Sequence, residues 1–81
     1  MIRVLIADDH PIVRSGIAAL VRSADDLEVV GEAQNGLEAV LLAAEHRPDV
    51  VLMDLRMPEL AGDEATARIL AAHPGIRVVI L

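Results

Sequence analysis

Residues 2–9, with the sequence IRVLIADD, join a short β-branched apolar run to two consecutive aspartates, Asp8 and Asp9. Residues 49–55, DVVLMDL, repeat this arrangement, because a nearly continuous apolar run leads into Asp54. Continuous rather than alternating apolarity is typical of strands that are covered on both faces, as in a parallel sheet. The two stretches therefore predict neighbouring buried strands that each end in acidic residues.

Two further apolar runs and three helical patterns complete the chain. The predicted strands cover Ile2–Ala7, Leu27–Ala33, 49–55 and 76–81, and the more polar second one suits an edge of the sheet. The predicted helices cover residues 11–23, 37–47 and 64–73, with Pro11 at a first helical position and Asp63 as an N-cap. The order βαβαβαβ predicts a single α/β domain over residues 1–81, with a doubly wound parallel sheet.

The helical patterns also predict which side chains face the core. In the first helix these are Ile12, Val13, Ile17, Leu20 and Val21, in the second they are Leu37, Val40, Leu41 and Ala44, and in the third they are Ala65, Ile69 and Leu70.

Composition excludes several kinds of function. The 81 residues include no Phe, Tyr, Trp or Cys, which excludes aromatic stacking on bases, disulfides and thiolate chemistry. The net charge is −6 and every basic residue is Arg, so the chain is not expected to bind nucleic acid or anionic membranes by itself. With no apolar run long enough for a membrane span and no pattern of a signal peptide, a cytoplasmic location is predicted.

The acidic residues at the two strand ends predict a metal site. Ligands of doubly wound sheets bind beyond the carboxyl ends of the strands, where Asp8, Asp9 and Asp54 fall. Three like charges repel one another, and oxygen ligands favour Mg²⁺ as the neutralising ion, with Mn²⁺ or Ca²⁺ as substitutes. An aspartate after a strand also serves often as a helix cap or turn former, but the two strand ends together favour a site. Pro58 and Gly62 stiffen the loop after Asp54, whose carboxylate could then act as a nucleophile toward a phosphoryl group.

These residues also carry a resemblance to a known family. Asp8-Asp9, together with the pattern D-x-x-M-P-x-x-x-G that begins at Asp54, resembles the receiver domain of response regulators in two-component signalling. The segment ADDHPIVRSGI further resembles receivers that precede a LuxR-type helix-turn-helix output domain. The resemblance covers the whole chain and implies a flavodoxin-like fold with strand order 2-1-3-4.

The resemblance implies a function and a set of ligands. A sensor histidine kinase would transfer a phosphoryl group to Asp54, and the parent protein would control transcription through a DNA-binding output domain. The module would be a signalling switch rather than an enzyme with an external product. Mg²⁺ would be held by Asp9, Asp54 and the backbone carbonyl of Arg56, and by Asp8 mostly through water.

The sequence also departs from the family pattern. Receivers carry a Ser or Thr after the fourth strand and a Lys after the fifth, whereas this sequence reaches Leu81 within the predicted fourth strand. We therefore expect a partial receiver whose phosphorylation is impaired and whose exposed fourth strand promotes self-association.

Two other interpretations remain open. One is a phosphotransferase like the haloacid dehalogenases, although the D-x-D motif of that class does not match Asp54-Leu55-Arg56. The other is an association module that is not phosphorylated. Among the remaining residues, His10 is expected to lie exposed at a helix start, and Met57 is expected to pack or to face a partner rather than to bind a ligand.

Overall fold

Strands and helices alternate along the whole chain in the computed structural model, which describes residues 1–81. The strands are Ile2–Ala7 (β1), Leu27–Ala33 (β2), Val50–Met53 (β3) and Arg77–Ile80 (β4), and the helices are Pro11–Arg22 (α1), Gly36–His46 (α2) and Gly62–Ala72 (α3). All strand pairs are parallel and the order is β2-β1-β3-β4. The predicted doubly wound, flavodoxin-like sheet is confirmed, with β2 at one edge as expected.

Helices cover both faces of this sheet, as alternate residues of β1 show. The larger group of buried side chains lies beneath α2 and α3 and comprises Leu5, Ala7, Ala33, Ala39, Ala43, Val51, Met53, Met57, Leu60, Ala65, Ile69 and Ile76. The smaller group lies beneath α1 and comprises Val4, Ile6, Ala18 and Val21. Burial of aliphatic surface on both sides therefore holds the sheet.

The predicted bounds of the elements differ from the structure around β3. This strand is shorter than residues 49–55, and the carbonyl of Leu55 accepts the N–H of Gly62 at 2.9 Å instead of pairing within the sheet. Helix α3 begins at Gly62, with Ala61 at the N-cap, so the prediction of Asp63 as the cap is wrong. Asp63 lies inside the first turn, where its negative charge suits the helix dipole.

Several side chains of the predicted apolar helix faces are exposed. Ile12 is 88% exposed, Leu20 74%, Leu41 68%, Val13 49%, Leu37 42% and Leu70 39%, and Ala44 is exposed as well. In α1 only a narrow stripe that includes Ala18 and Val21 meets the sheet, while Ile12 and Leu20 share the opposite side at a spacing of two turns. The helical period was predicted correctly, but the width of the buried stripe was overestimated.

The loop between β3 and α3 is fixed by packing. Met57 and Leu60 are both buried, which agrees with the first of the two roles predicted for Met57, packing in the core. The start of α2 lies directly against this loop, because a Cβ built on Gly36 would overlap the carbonyl oxygen of Leu60. The absence of a side chain at Gly36 thus lets the helix approach the loop backbone.

Candidate metal centre

Pairing of β1 with β3 brings the acidic residues together. Ala7 pairs with Met53 in the parallel ladder, so the residues that follow these two emerge at the same edge of the sheet. The N–H of Asp54 continues the ladder and donates to the carbonyl of Ala7 at 2.9 Å. Asp8, Asp9, His10 and Asp54 each offer one ligand atom, and these four atoms lie within 4.8 Å of one another.

Asp8 is the most deeply buried acid of the chain, with only 4% of the residue exposed. Its Oδ1 accepts a hydrogen bond from the backbone N–H of His10 at 2.8 Å, and its own N–H donates to the carbonyl of Ala33 at 3.0 Å. The Asp8 carbonyl accepts from Nη1 of Arg14 at 2.7 Å. Backbone and side chain of Asp8 are therefore both held in place.

Asp9 lies next to Asp8 with 29% of its side chain exposed. Its Oδ1 is buried but accepts no hydrogen bond. The ring Nδ1 of His10 is 3.1 Å from this oxygen, which is an ion-pair distance without the alignment of a hydrogen bond. A buried carboxylate oxygen without a donor is costly unless a cation or another group satisfies it.

His10 is the N-cap residue of α1 and 68% of its side chain is exposed, which confirms the exposed helix-start position. Its Nδ1 also lies 3.2 Å from Oδ1 of Asp8, so the ring faces both adjacent carboxylates. The contact of the ring with both carboxylates was not predicted from the sequence. The one indication of it is that His10 directly follows the two acids.

Asp54 and Arg56 form the opposite side of the cluster. Asp54 is half-buried, and its Oδ1 accepts the backbone N–H of Arg56 at 3.3 Å. The other carboxylate oxygen of Asp54 accepts no hydrogen bond within the chain. Arg56 itself is exposed, and the role of its backbone carbonyl as a metal ligand stays a prediction.

Arg14 supports the cluster from α1 and was not identified from the sequence. Besides the bond to the Asp8 carbonyl, its Nε lies 3.4 Å from Oε1 of Glu32 on β2, within ion-pair distance but not aligned for a hydrogen bond. Only 17% of the Arg14 side chain is exposed. The only sequence signal for a role of Arg14 near the acids is its position one turn into the helix that follows them, and this signal is weak.

The donor set fits a small divalent cation. Three carboxylates carry a concentrated negative charge, and one buried oxygen of Asp9 lacks a partner. Hard cations such as Mg²⁺ prefer oxygen ligands of this kind. The residues predicted from the sequence, Asp8, Asp9 and Asp54, are therefore brought together in an arrangement that fits the predicted ion.

Comparison with known families identifies the class of protein that this fold and cluster define. Residues 4–81 match the response regulator receiver domain. The chain belongs to this family, whose members act in two-component signalling and are generally phosphorylated in a reaction that depends on Mg²⁺. The assignment decides against the interpretation as a phosphotransferase of the dehalogenase type.

Individual relatives include a regulator of transcription. Response regulator GacA of Pseudomonas viridiflava is 52% identical over 79 residues, which are 98% of this chain and 37% of the relative. Transcriptional regulatory protein LiaR of Bacillus subtilis is 48% identical over 81 residues, or 100% of this chain and 38% of the relative. A LuxR-family response regulator from Aurantimonas sp. SI85-9A1 superposes with a TM-score of 0.93 at 40% identity, covering 99% of this chain and 57% of that one.

The chain thus spans a little over a third of the length of the curated relatives that it matches. None of its helices has the length and apolar character needed to cross a membrane.

Proposed function

We propose that the chain accepts a phosphoryl group on Asp54 from a phosphohistidine of a sensor histidine kinase, in a reaction that depends on Mg²⁺. The observation that carries this proposal is the placement of the Asp54 carboxylate, which keeps one oxygen without a hydrogen bond beside two further carboxylates. Attack requires such a free oxygen, and the neighbouring acids provide a place for the cation that the reaction needs.

The chemistry is a transfer between two covalent carriers. A carboxylate oxygen of Asp54 forms a bond to phosphorus while the phosphorus–nitrogen bond of the phosphohistidine breaks. The imidazole of the kinase keeps the electron pair and takes up a proton from solvent, and Asp54 becomes an acyl phosphate. The backbone of Asp54 is fixed by its bond to the Ala7 carbonyl, which limits the movement of the nucleophile.

Four groups are proposed to hold Mg²⁺ at this edge of the sheet: the carboxylates of Asp9 and Asp54, the backbone carbonyl of Arg56, and Asp8 through water. When bound, the ion supplies positive charge that offsets the charge on the transferred oxygens. The unpartnered Oδ1 of Asp9 supports its place in this set, and the firm anchoring of Asp8 supports a more distant role.

The module is proposed to act as a switch in the cytoplasm rather than as an enzyme that turns over an external substrate. Transcriptional control fits the curated relatives, among them a transcriptional regulatory protein. With a net charge of −6, residues 1–81 are not suited to contact DNA, so DNA binding is assigned to an output domain of the parent protein.

Self-association of the polypeptide of residues 1–81 is proposed to occur through β4. This strand pairs only with β3, so one of its sides has unpaired backbone groups. Val79, Ile80 and Leu81 are 49%, 44% and 53% exposed, and Arg77 is the only charged residue of the strand. A second copy presents the same unpaired apolar edge, which makes the contact self-complementary.

The phosphoacceptor is tested by locating the modified residue. The protein is incubated with phosphoramidate and Mg²⁺, and acyl phosphate is trapped with borohydride, which converts the modified aspartate to homoserine before peptide mass spectrometry. We expect homoserine at position 54. Accumulation is expected to be slow, because no Lys of residues 1–81 adds positive charge at the transferred group.

Two variants serve as controls for this experiment. Asp54→Asn should abolish the label, whereas Asp63→Asn, which changes an exposed acid in the first turn of α3, should retain it. Release of more than one phosphate per chain without a trapped intermediate would favour an enzyme. Homoserine at another position, or none under saturating Mg²⁺, would contradict the proposal and favour the association module.

A further inference from the structure

His10 brings an imidazole nitrogen into a centre that would otherwise offer only oxygen. Its Nδ1 lies 3.2 Å from Oδ1 of Asp8 and 3.1 Å from Oδ1 of Asp9. One ring nitrogen of His10 and one carboxylate oxygen each of Asp8, Asp9 and Asp54 lie within 4.8 Å of one another. The backbone of His10 is held in place, since His10 is the N-cap residue of α1 and its N–H is bound to Asp8.

These separations match those of adjacent ligands around one ion. Two donors that each lie about 2.1 Å from an octahedral ion, at right angles, are about 3.0 Å apart. The distances from Nδ1 to the two carboxylates are close to this value, and the Asp9 oxygen has no hydrogen bond that an ion would have to displace. The ring needs no large movement to share an ion with Asp9.

We propose that His10 is a nitrogen ligand of this centre through Nδ1, so that the site binds first-row transition ions such as Ni²⁺ and Zn²⁺ more tightly than Mg²⁺. The inference rests on the proposed metal site and adds a ligand and a metal preference to it. Imidazole suits Zn²⁺ and Ni²⁺, whereas Mg²⁺ prefers oxygen ligands. Ligation through Nδ1 replaces the hydrogen bond of that nitrogen with Oδ1 of Asp8 and leaves the ring proton on Nε2.

The test compares two metals in matched variants. Affinities of the purified protein for Mg²⁺ and Ni²⁺ are measured by titration calorimetry in a His46→Asn/His73→Asn background, which removes the two other imidazoles of the sequence. His10→Asn is the test variant, because Asn is a good N-cap residue and should preserve the start of α1. Asp54→Asn is the comparison that replaces a charged carboxylate ligand by a neutral amide instead.

We expect Ni²⁺ to bind at least about tenfold more tightly than Mg²⁺, and His10→Asn to weaken Ni²⁺ binding about tenfold while changing Mg²⁺ binding less than about twofold. Asp54→Asn should weaken the binding of both ions. As a second readout, the Nδ1 resonance of His10 in ¹⁵N-labelled protein should move to the metal-bound range when Zn²⁺ is added.

Each failure has a distinct meaning. If His10→Asn changes Ni²⁺ and Mg²⁺ binding equally, or changes neither, His10 is not a ligand and the inference is wrong, while the proposed phosphoacceptor function stands. An unmoved Nδ1 resonance with Zn²⁺ bound leads to the same conclusion. If neither ion binds, or if Asp54→Asn has no effect on either, the proposed metal site itself is overturned together with this inference.

Discussion

Gly62 lies directly against the carbonyl group of Asp54. A Cβ built on Gly62 would overlap the carbonyl oxygen of Asp54 and would come within 2.7 Å of Cα of Leu55. The N–H of Gly62 also donates to the carbonyl of Leu55 at 2.9 Å. The first residue of α3 and the backbone of the candidate phosphoacceptor are therefore one packed unit.

Gly62→Ala is predicted to destabilise the protein by about 1–3 kcal/mol, because the added methyl group must push the Asp54 loop backbone away. The free energy of unfolding can be measured by urea denaturation followed by far-UV circular dichroism, which suits a chain without aromatic residues.

The matched control is Gly16→Ala, in the exposed middle of α1. A Cβ at Gly16 would meet no atom within 4 Å. Because Ala has the better helix propensity, this change should stabilise the protein by about 0.5–1 kcal/mol. Equal stabilisation by the two substitutions would show that the close contact at Gly62 is absent in solution.

Millimolar Mg²⁺ is predicted to raise the melting temperature, since a ligand that binds only the folded state stabilises it. Asp54→Asn should be more stable than the unchanged protein without metal, because it relieves repulsion among the carboxylates, and it should gain less from Mg²⁺. Asp63→Asn, which lies outside the cluster, should respond to Mg²⁺ like the unchanged protein. Identical melting curves with and without Mg²⁺ in all three proteins would argue against an assembled site.

Arg14→Ala is predicted to lower the free energy of unfolding by about 1–3 kcal/mol. The substitution removes a largely buried guanidinium, so that the Asp8 carbonyl loses its donor and Glu32 loses its ion-pair partner. Arg68→Ala is the control, since Arg68 and Glu64 form an exposed pair one turn apart in α3. Loss of that pair should change stability by less than about 0.5 kcal/mol. The free energies of unfolding of the two variants are compared by urea denaturation. Equal effects would show that Arg14 does not support the site.

Val79→Lys is predicted to reduce self-association of the polypeptide of residues 1–81, because a charge on an edge strand disfavours pairing with a second copy. Light scattering across a dilution series measures the change in mean mass. Leu41→Lys places the same charge on an exposed apolar position of α2, which is 68% exposed, and should leave the association unchanged. A monomeric unchanged polypeptide at high concentration would refute association through β4.

The alternation of strands and helices and the convergence of Asp8, Asp9 and Asp54 were predictable because they follow from short-range patterns and from one rule of parallel sheets, whereas the strand order was implied by the resemblance to receiver domains. Apolar runs indicate strands, and the carboxyl ends of neighbouring parallel strands share an edge. The start of α3 was misplaced because Asp63 is a good cap by type, whereas the close contact of Gly62 with the Asp54 loop decides where the helix begins.

The contacts of His10 and Arg14 could not be predicted from the sequence, for a different reason. Both depend on the angle at which α1 leaves β1 and on the rotamers of long or flat side chains. Residue type and spacing do not determine these quantities. The same holds for Ile12 and Leu20, whose exposure reflects how narrow a stripe of α1 meets the sheet.

The β1–β3 ladder has a consequence for how the chain folds. About half of the sequence separates Asp9 from Asp54, and the two residues meet only when β3 docks beside β1, after a crossover that includes β2 and α2. Bringing them together carries the entropy cost of closing a long loop. A nascent chain therefore acquires the centre only after residue 54 has left the ribosome and the central strands have paired.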